Sequence, residues 1–159
     1  MTYEEFKQAY EVWQKKYNLP AFKILEDEFD LYLSDVEKIP KDVVLASIRR
    51  RMQEKIGGVV HLMEEITFPN NGSIVSLHEA KFLSDAQKET VGALMQKMMF
   101  FERKALILDL KPAISTDAEF INSFMKEWPE MLKQLVTVLE SLRDGWKETD
   151  KKEILHYFG

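Results

Sequence analysis

The sequence predicts an all-α fold, a helical bundle of about five helices forming a single domain over residues 1–159. Three observations predict it. Apolar residues recur at steps of three and four through most of the chain, the spacing that gathers side chains on one face of a helix. Only 6 Gly and 5 Pro interrupt 159 residues, so breaks are few. A content of 45% hydrophobic and 31% charged residues suits a chain of this length that buries a core.

The first helix is expected over residues 3–17. Thr2 and Glu5 have the spacing of a capping box. Tyr3, Phe6, Tyr10, Trp13 and Tyr17 then fall on one stripe, while Glu4, Gln8, Glu11 and Lys15 make the opposite face polar. A one-sided aromatic stripe is how a terminal helix docks, and truncating Trp13 is expected to cost about 3–5 kcal/mol. Pro20 is expected to open a second helix with the stripe Phe22, Leu25, Phe29, Leu33 and Val36, closed by Ile39-Pro40.

A third helix is expected from about Asp42 to Ile66 on Leu45, Ile48, Met52, Ile56, Val59, Met63 and Ile66. Gly57-Gly58 inside it reads as a place where a neighbouring element approaches closely. Pro69-Asn70-Asn71-Gly72 is a turn signal, across which Thr67-Phe68 and Ile74-Val75 are placed to pair as a small hairpin. Ser76 with Glu79 and Ser84 with Gln87 repeat the capping-box spacing, predicting a short helix near 77–83 and a long one over 85–110. The last long helix begins after Ser115-Thr116, with Phe120, Ile121, Phe124, Trp128, Met131 and Leu135 on one side. Pro129 lies within that phase and predicts a kink.

Composition also bounds function. The opening MTYEEFK has no basic start followed by an apolar core, so no signal peptide is expected, and no apolar run approaches the roughly 20 residues that cross a bilayer. Without cysteine there is no thiolate chemistry or Cys-based metal site, and a reducing cytoplasm is the expected location. The formal charge of −5 argues against general nucleic-acid binding, which needs clustered cations. No cofactor is expected, since phosphate loop, dinucleotide glycine pattern and nucleophile elbow are all missing.

The candidate chemistry is thin. His61 and Glu65 stand one helical turn apart, the spacing of a metal pair, but on the side of the third helix away from its apolar seam. His78 lies near an expected helix start, where capping or surface contact is its expected role. Glu153-Ile154-Leu155-His156 has a di-iron spacing that occurs once, where that chemistry uses it twice. In the long helix 85–110, Glu102 and Asp109 project onto the apolar face of Val91, Leu94, Met98, Phe101, Ala105 and Leu108. A carboxylate there needs a partner, and Arg49 at the edge of the third helix's seam is one. Glu102 and Asp109 are thus the candidates for a catalytic or metal-binding pair. The triplet Arg49, Arg50 and Arg51 would serve a nucleic-acid ligand only if gathered with Lys97, Arg103 and Lys104.

The same helix carries Met99, Phe100, Leu106, Ile107 and Leu110 around the rest of its circumference. A helix apolar nearly all round is either central in its fold or covered by a partner. The expected function is therefore that of a non-catalytic interaction protein, an adaptor, regulator or subunit. Its partner would be another protein or a second copy in a homodimer, with Phe100, Ile107 and Arg49, Arg50, Arg51 as contact candidates.

Overall fold

Thr2 caps the first helix as its spacing predicts: its hydroxyl accepts from the Glu5 amide at 3.2 Å, and the Glu5 carboxylate accepts from the Thr2 amide at 2.7 Å. The computed structural model describes residues 1–31, 39–69 and 73–149. Among these, all regular structure is helical: α1 (Tyr3–Tyr17), α2 (Phe22–Phe29), a 3₁₀ turn at Lys41–Val43, α3 (Val44–Thr67), α4 (Ile74–Glu79), α5 (Asp85–Leu110) and α6 (Ile114–Glu148). The fold is all-α, and no described helix is long and apolar enough to cross a membrane.

The chain divides into two compact units, Met1–Gly58 with Phe100–Trp128 and Val59–Met99 with Pro129 onward. Helices α3, α5 and α6 each contribute a segment to both. In the first unit the aromatic stripe of α1 docks on Phe22 of α2, whose ring lies 5.4 Å from Tyr10 and 6.1 Å from both Tyr3 and Phe6. The Tyr10 hydroxyl donates to the Pro20 carbonyl at 2.7 Å. Only Phe6 and Tyr10 of the stripe are buried. Trp13 is half-buried and stacks on Tyr17 with Lys16 over both rings, so the cost expected for its truncation belongs to Tyr10. Asn18 ends α1 in the left-handed conformation that Asn tolerates, φ 51°.

The second helix is shorter than its stripe suggests. It begins at Phe22 rather than at Pro20, and Asp30, left-handed at φ 51°, ends it after Phe29. Leu33 and Val36 lie outside the described residues. Further aromatic packing joins α2 to the start of α6: Phe29 lies 6.0 Å from Phe124 and 5.6 Å from Trp128, and Phe124 stacks on Trp128 at 5.3 Å. Lys55 of α3 closes this group, with its ammonium 5.4 Å from each of the Phe29 and Trp128 rings and donating to the Glu28 carbonyl. The Glu28 carboxylate accepts from the Trp128 indole at 2.8 Å.

In the second unit, Met63, Ile66, Leu83, Val91, Leu135, Val138 and Leu142 form one buried cluster. The expected hairpin is absent, because Thr67 ends α3 and Ile74-Val75 begin α4; Asn70, Asn71 and Gly72 lie outside the described residues. The short helix begins at 74 and not at 77, since the hydroxyl of Ser73, not of Ser76, caps it by accepting from the Ser76 amide at 3.2 Å. A local cap thus overrides the β preference of Ile-Val. The Ser84/Gln87 box forms as expected, with bonds of 2.9 and 3.3 Å. Helix α6 starts at Ile114 and runs unbroken through Pro129.

The glycines of α3 do not serve a close approach. A Cβ built on Gly57 or Gly58 meets nothing within 4 Å, whereas one on Gly145 would lie 2.2–2.6 Å from ring atoms of Phe82. Gly57→Ala and Gly58→Ala are each expected to raise stability by about 0.5–1 kcal/mol, since Ala suits a helix interior better. Gly145→Ala should lower it by about 1–3 kcal/mol through overpacking. Chemical denaturation of the three variants checks both signs.

Candidate functional site

Arg49 of α3 is 1% exposed, and all three of its guanidinium nitrogens donate. Nε bonds the Asp117 carboxylate at 2.7 Å, Nη2 that of Asp109 at 2.7 Å, and Nη1 the Ala105 carbonyl at 3.1 Å and Gln53 at 3.4 Å. Arg50 adds a bond to the same Asp109 oxygen at 3.1 Å. Two cations thus face two carboxylates, and one buried guanidinium ties α3 to the end of α5 and the start of α6. The helix ends treat the two carboxylates differently: Asp117 stands in the first turn of α6, near the positive end of its dipole, whereas Asp109 stands in the last turn of α5, at the negative end, where Arg49 and Arg50 offset its charge.

The two aspartates are held differently. The Arg49 hydrogen bond, reinforced by Arg50 against partial burial, holds Asp109 below the ordinary value of 3.8. Burial pushes Asp117 above it, with Arg49 opposing; its side chain is only 5% exposed, so burial sets the direction. By linkage, the contribution of Asp109 is fully present above 3.8 and is lost as pH falls through its depressed value. That of Asp117 has the opposite sign and weakens as pH rises from 3.8 toward its raised value. Asp109→Asn is therefore expected to flatten the loss of stability as pH falls below 3.8, as measured by melting temperature through the acid range.

The sequence candidates are distributed as follows. Asp109 finds Arg49, the partner its phase suggested. Glu102 is turned to its neighbour Arg103 at 3.2 Å and lies two turns, about 10 Å, from Asp109, too far to share a metal ion. Asp117 was missing from the candidates, although Asp117, Ile121, Phe124 and Trp128 step by four, three and four in phase with the α6 core. Of the triplet, Arg49 is buried, while Arg50 and Arg51 reach the surface, Arg50 bonded to Asp109 and Arg51 to Glu54 at 2.7 Å. Lys104 of α5 stands 3.9 Å from Glu119.

His61 is 75% exposed and 3.6 Å from Glu65, at the side of an open groove of about 360 Å³ with Glu64, Phe68, Ser73 and Ser76. Among the described residues no group of three or more His, Asp or Glu is placed to hold a metal ion. His78 is buried rather than on the surface. Its Nε2 is 3.0 Å from the Thr149 hydroxyl and its ring packs on Phe82 and Trp146, while Trp146 donates to Glu79 at 2.7 Å. The group clamps α4 to the end of α6. Glu153 and His156 lie outside the described residues.

The other feature is the outward face of α5. At about 100° per residue, its buried residues Phe101, Ala105 and Leu108 centre on one side. Opposite them stand Phe100, Leu106, Ile107 and Leu110, exposed by 64, 40, 57 and 83%. Of the two alternatives for an all-round apolar helix, the described chain leaves this face uncovered. Only Arg103 interrupts it, with its side chain 61% exposed. Compared with known proteins, the chain matches no family model, no curated protein and no solved structure.

Proposed function

We propose that the chain is a non-catalytic helical interaction protein, an adaptor, regulator or subunit, whose partner docks on the outward face of α5. The observation that carries the reading is the stripe of Phe100, Leu106, Ile107 and Leu110, four large apolar side chains exposed on one face of a regular helix. Such a contiguous patch has a solvation cost that a partner removes. The carboxylates a catalytic reading would use support it from the other side, since Asp109 and Glu102 are each engaged by arginine.

A photo-crosslinking residue at Ile107, in the full chain in its native cell, tests this. The expected result is a discrete crosslinked species that Phe100→Glu abolishes without changing the melting temperature. A probe at Glu54, also exposed but outside the stripe, should give none. No crosslink at Ile107 would overturn the reading.

A further inference from the structure

We propose that Gly57-Gly58 of α3 and Pro129 of α6 are the pivots of a hinge that lets the two units bend relative to one another, with α5 as its continuous spine. Three helices carry the chain from one unit to the other, and the crossings fall at Gly58-Val59, Met99-Phe100 and Trp128-Pro129. At two of the three, the sequence weakens its own helix. Glycine leaves the backbone freer than any other residue, and paired small residues and prolines are where helices bend. Pro129 has no amide hydrogen to give the Met125 carbonyl one turn back, so α6 makes its crossing with one backbone bond fewer. The third crossing is different. From Met95 to Lys104, α5 holds neither Gly nor Pro, which makes it the stiff member.

Packing does not account for these residues. No neighbouring atom comes within 4 Å of a Cβ built on Gly57 or Gly58, so alanine fits at both, and Pro129 is exposed. Gly145 shows the contrast, since the Phe82 ring fills the space its side chain would need, and it lies away from every crossing. A glycine pair that packing does not require lowers the stability of its helix. What it supplies is backbone freedom, at the one place where α3 passes between the units. A hinge needs few such points, because a small set of residues absorbs the backbone change while the rest stays rigid. Whatever binds one unit and favours one bend is then felt in the other through the shift in population. The inference is independent of what docks on α5.

Distances between pairs of spin labels test the hinge in the full chain, where the absence of native cysteine leaves only the chosen positions to react. Glu11 and Glu119 are exposed in the first unit, Glu89 and Glu140 in the second, and cysteine replaces them two at a time. The 11–89 pair, with one label in each unit, is expected to give a distance distribution about two-fold wider or more than the 11–119 and 89–140 pairs, each within one unit. Gly57→Ala, Gly58→Ala and Pro129→Ala combined should narrow the 11–89 distribution toward the width seen within a unit. Gly58→Ala and Pro129→Ala alone, each expected to narrow it in part, keep the comparison readable if the triple variant is destabilised. Gly92→Ala makes the same exchange beside open space in α5, away from the crossings, and should leave the distribution unchanged. An 11–89 distribution as narrow as the other two would overturn the hinge. A wide one that the alanine variants leave wide would overturn the pivots, and so would an equal narrowing by Gly92→Ala, which would trace the effect to general stiffening of helices.

Discussion

Replacing Arg49 by alanine is expected to lower the stability of the chain by about 3–5 kcal/mol, the cost of removing one partner from a buried ion pair. The loss has several parts. Asp117, 5% exposed in its side chain, keeps its burial and loses its hydrogen-bonded counter-charge. Asp109 fares better, since Arg50 still reaches it at 3.1 Å. The Ala105 carbonyl loses the Arg49 contact, and the long side chain leaves a void between three helix segments. The pair itself is not thereby worth 3–5 kcal/mol, because burying both charges costs nearly as much as their attraction returns. Arg49→Met combined with Asp117→Leu is therefore expected to recover much of the loss. Urea denaturation of the two single variants and the double variant measures the coupling directly. A single Arg49→Ala variant as stable as the wild type would remove the ion cluster from the account of the fold.

Tyr10→Ala is expected to cost about 3–5 kcal/mol, as truncation of a fully buried ring does, whereas Trp13→Ala should cost well under half of that. The contrast follows from position along one stripe. Tyr10 is 0% exposed, packs on Phe22 and bonds the Pro20 carbonyl, and its burial pushes the phenol well above its usual range. Trp13 lies further along the helix, half-buried, with its main ring contact to Tyr17 on the same helix. Tyr10→Phe separates the two parts of the Tyr10 effect, since it keeps the ring and removes a hydrogen bond worth about 1 kcal/mol. Equal melting temperatures for Tyr10→Ala and Trp13→Ala would contradict this division.

Much of this was legible in the sequence because helical periodicity reports directly which face of a segment is apolar. It placed the long helix at 85–110, where α5 runs, and it put Asp109 on the wrong face for a free carboxylate, which pointed to Arg49. Asp117 escaped notice for a physical reason: an acidic residue in the first turn of a helix already has an explanation in the helix dipole, although its phase matched the core. Backbone choices that rest on one residue were harder to read. Asp30 turns left-handed and ends α2 while the apolar phase runs on through Leu33, and Ser73 rather than Ser76 starts α4. Periodicity also fixes a face without naming its neighbour. It could not tell whether Phe100 is enclosed, nor that Gly57 and Gly58 stand beside open space while Gly145 lies under the Phe82 ring.

The clasp around Lys55 has a consequence for chemical reactivity. Acylating or carbamylating reagents attack an amine through its lone pair, which requires the nitrogen to shed its proton and meet the reagent in water. The Lys55 nitrogen donates to the Glu28 carbonyl and lies over the rings of Phe29 and Trp128. Modification would also replace a cation facing two aromatic rings with a neutral amide. Lys55 is therefore expected to be slow to react beside exposed lysines such as Lys15 on the polar face of α1. Its rate of labelling then reports how often the Phe29, Trp128 and Glu28 group opens.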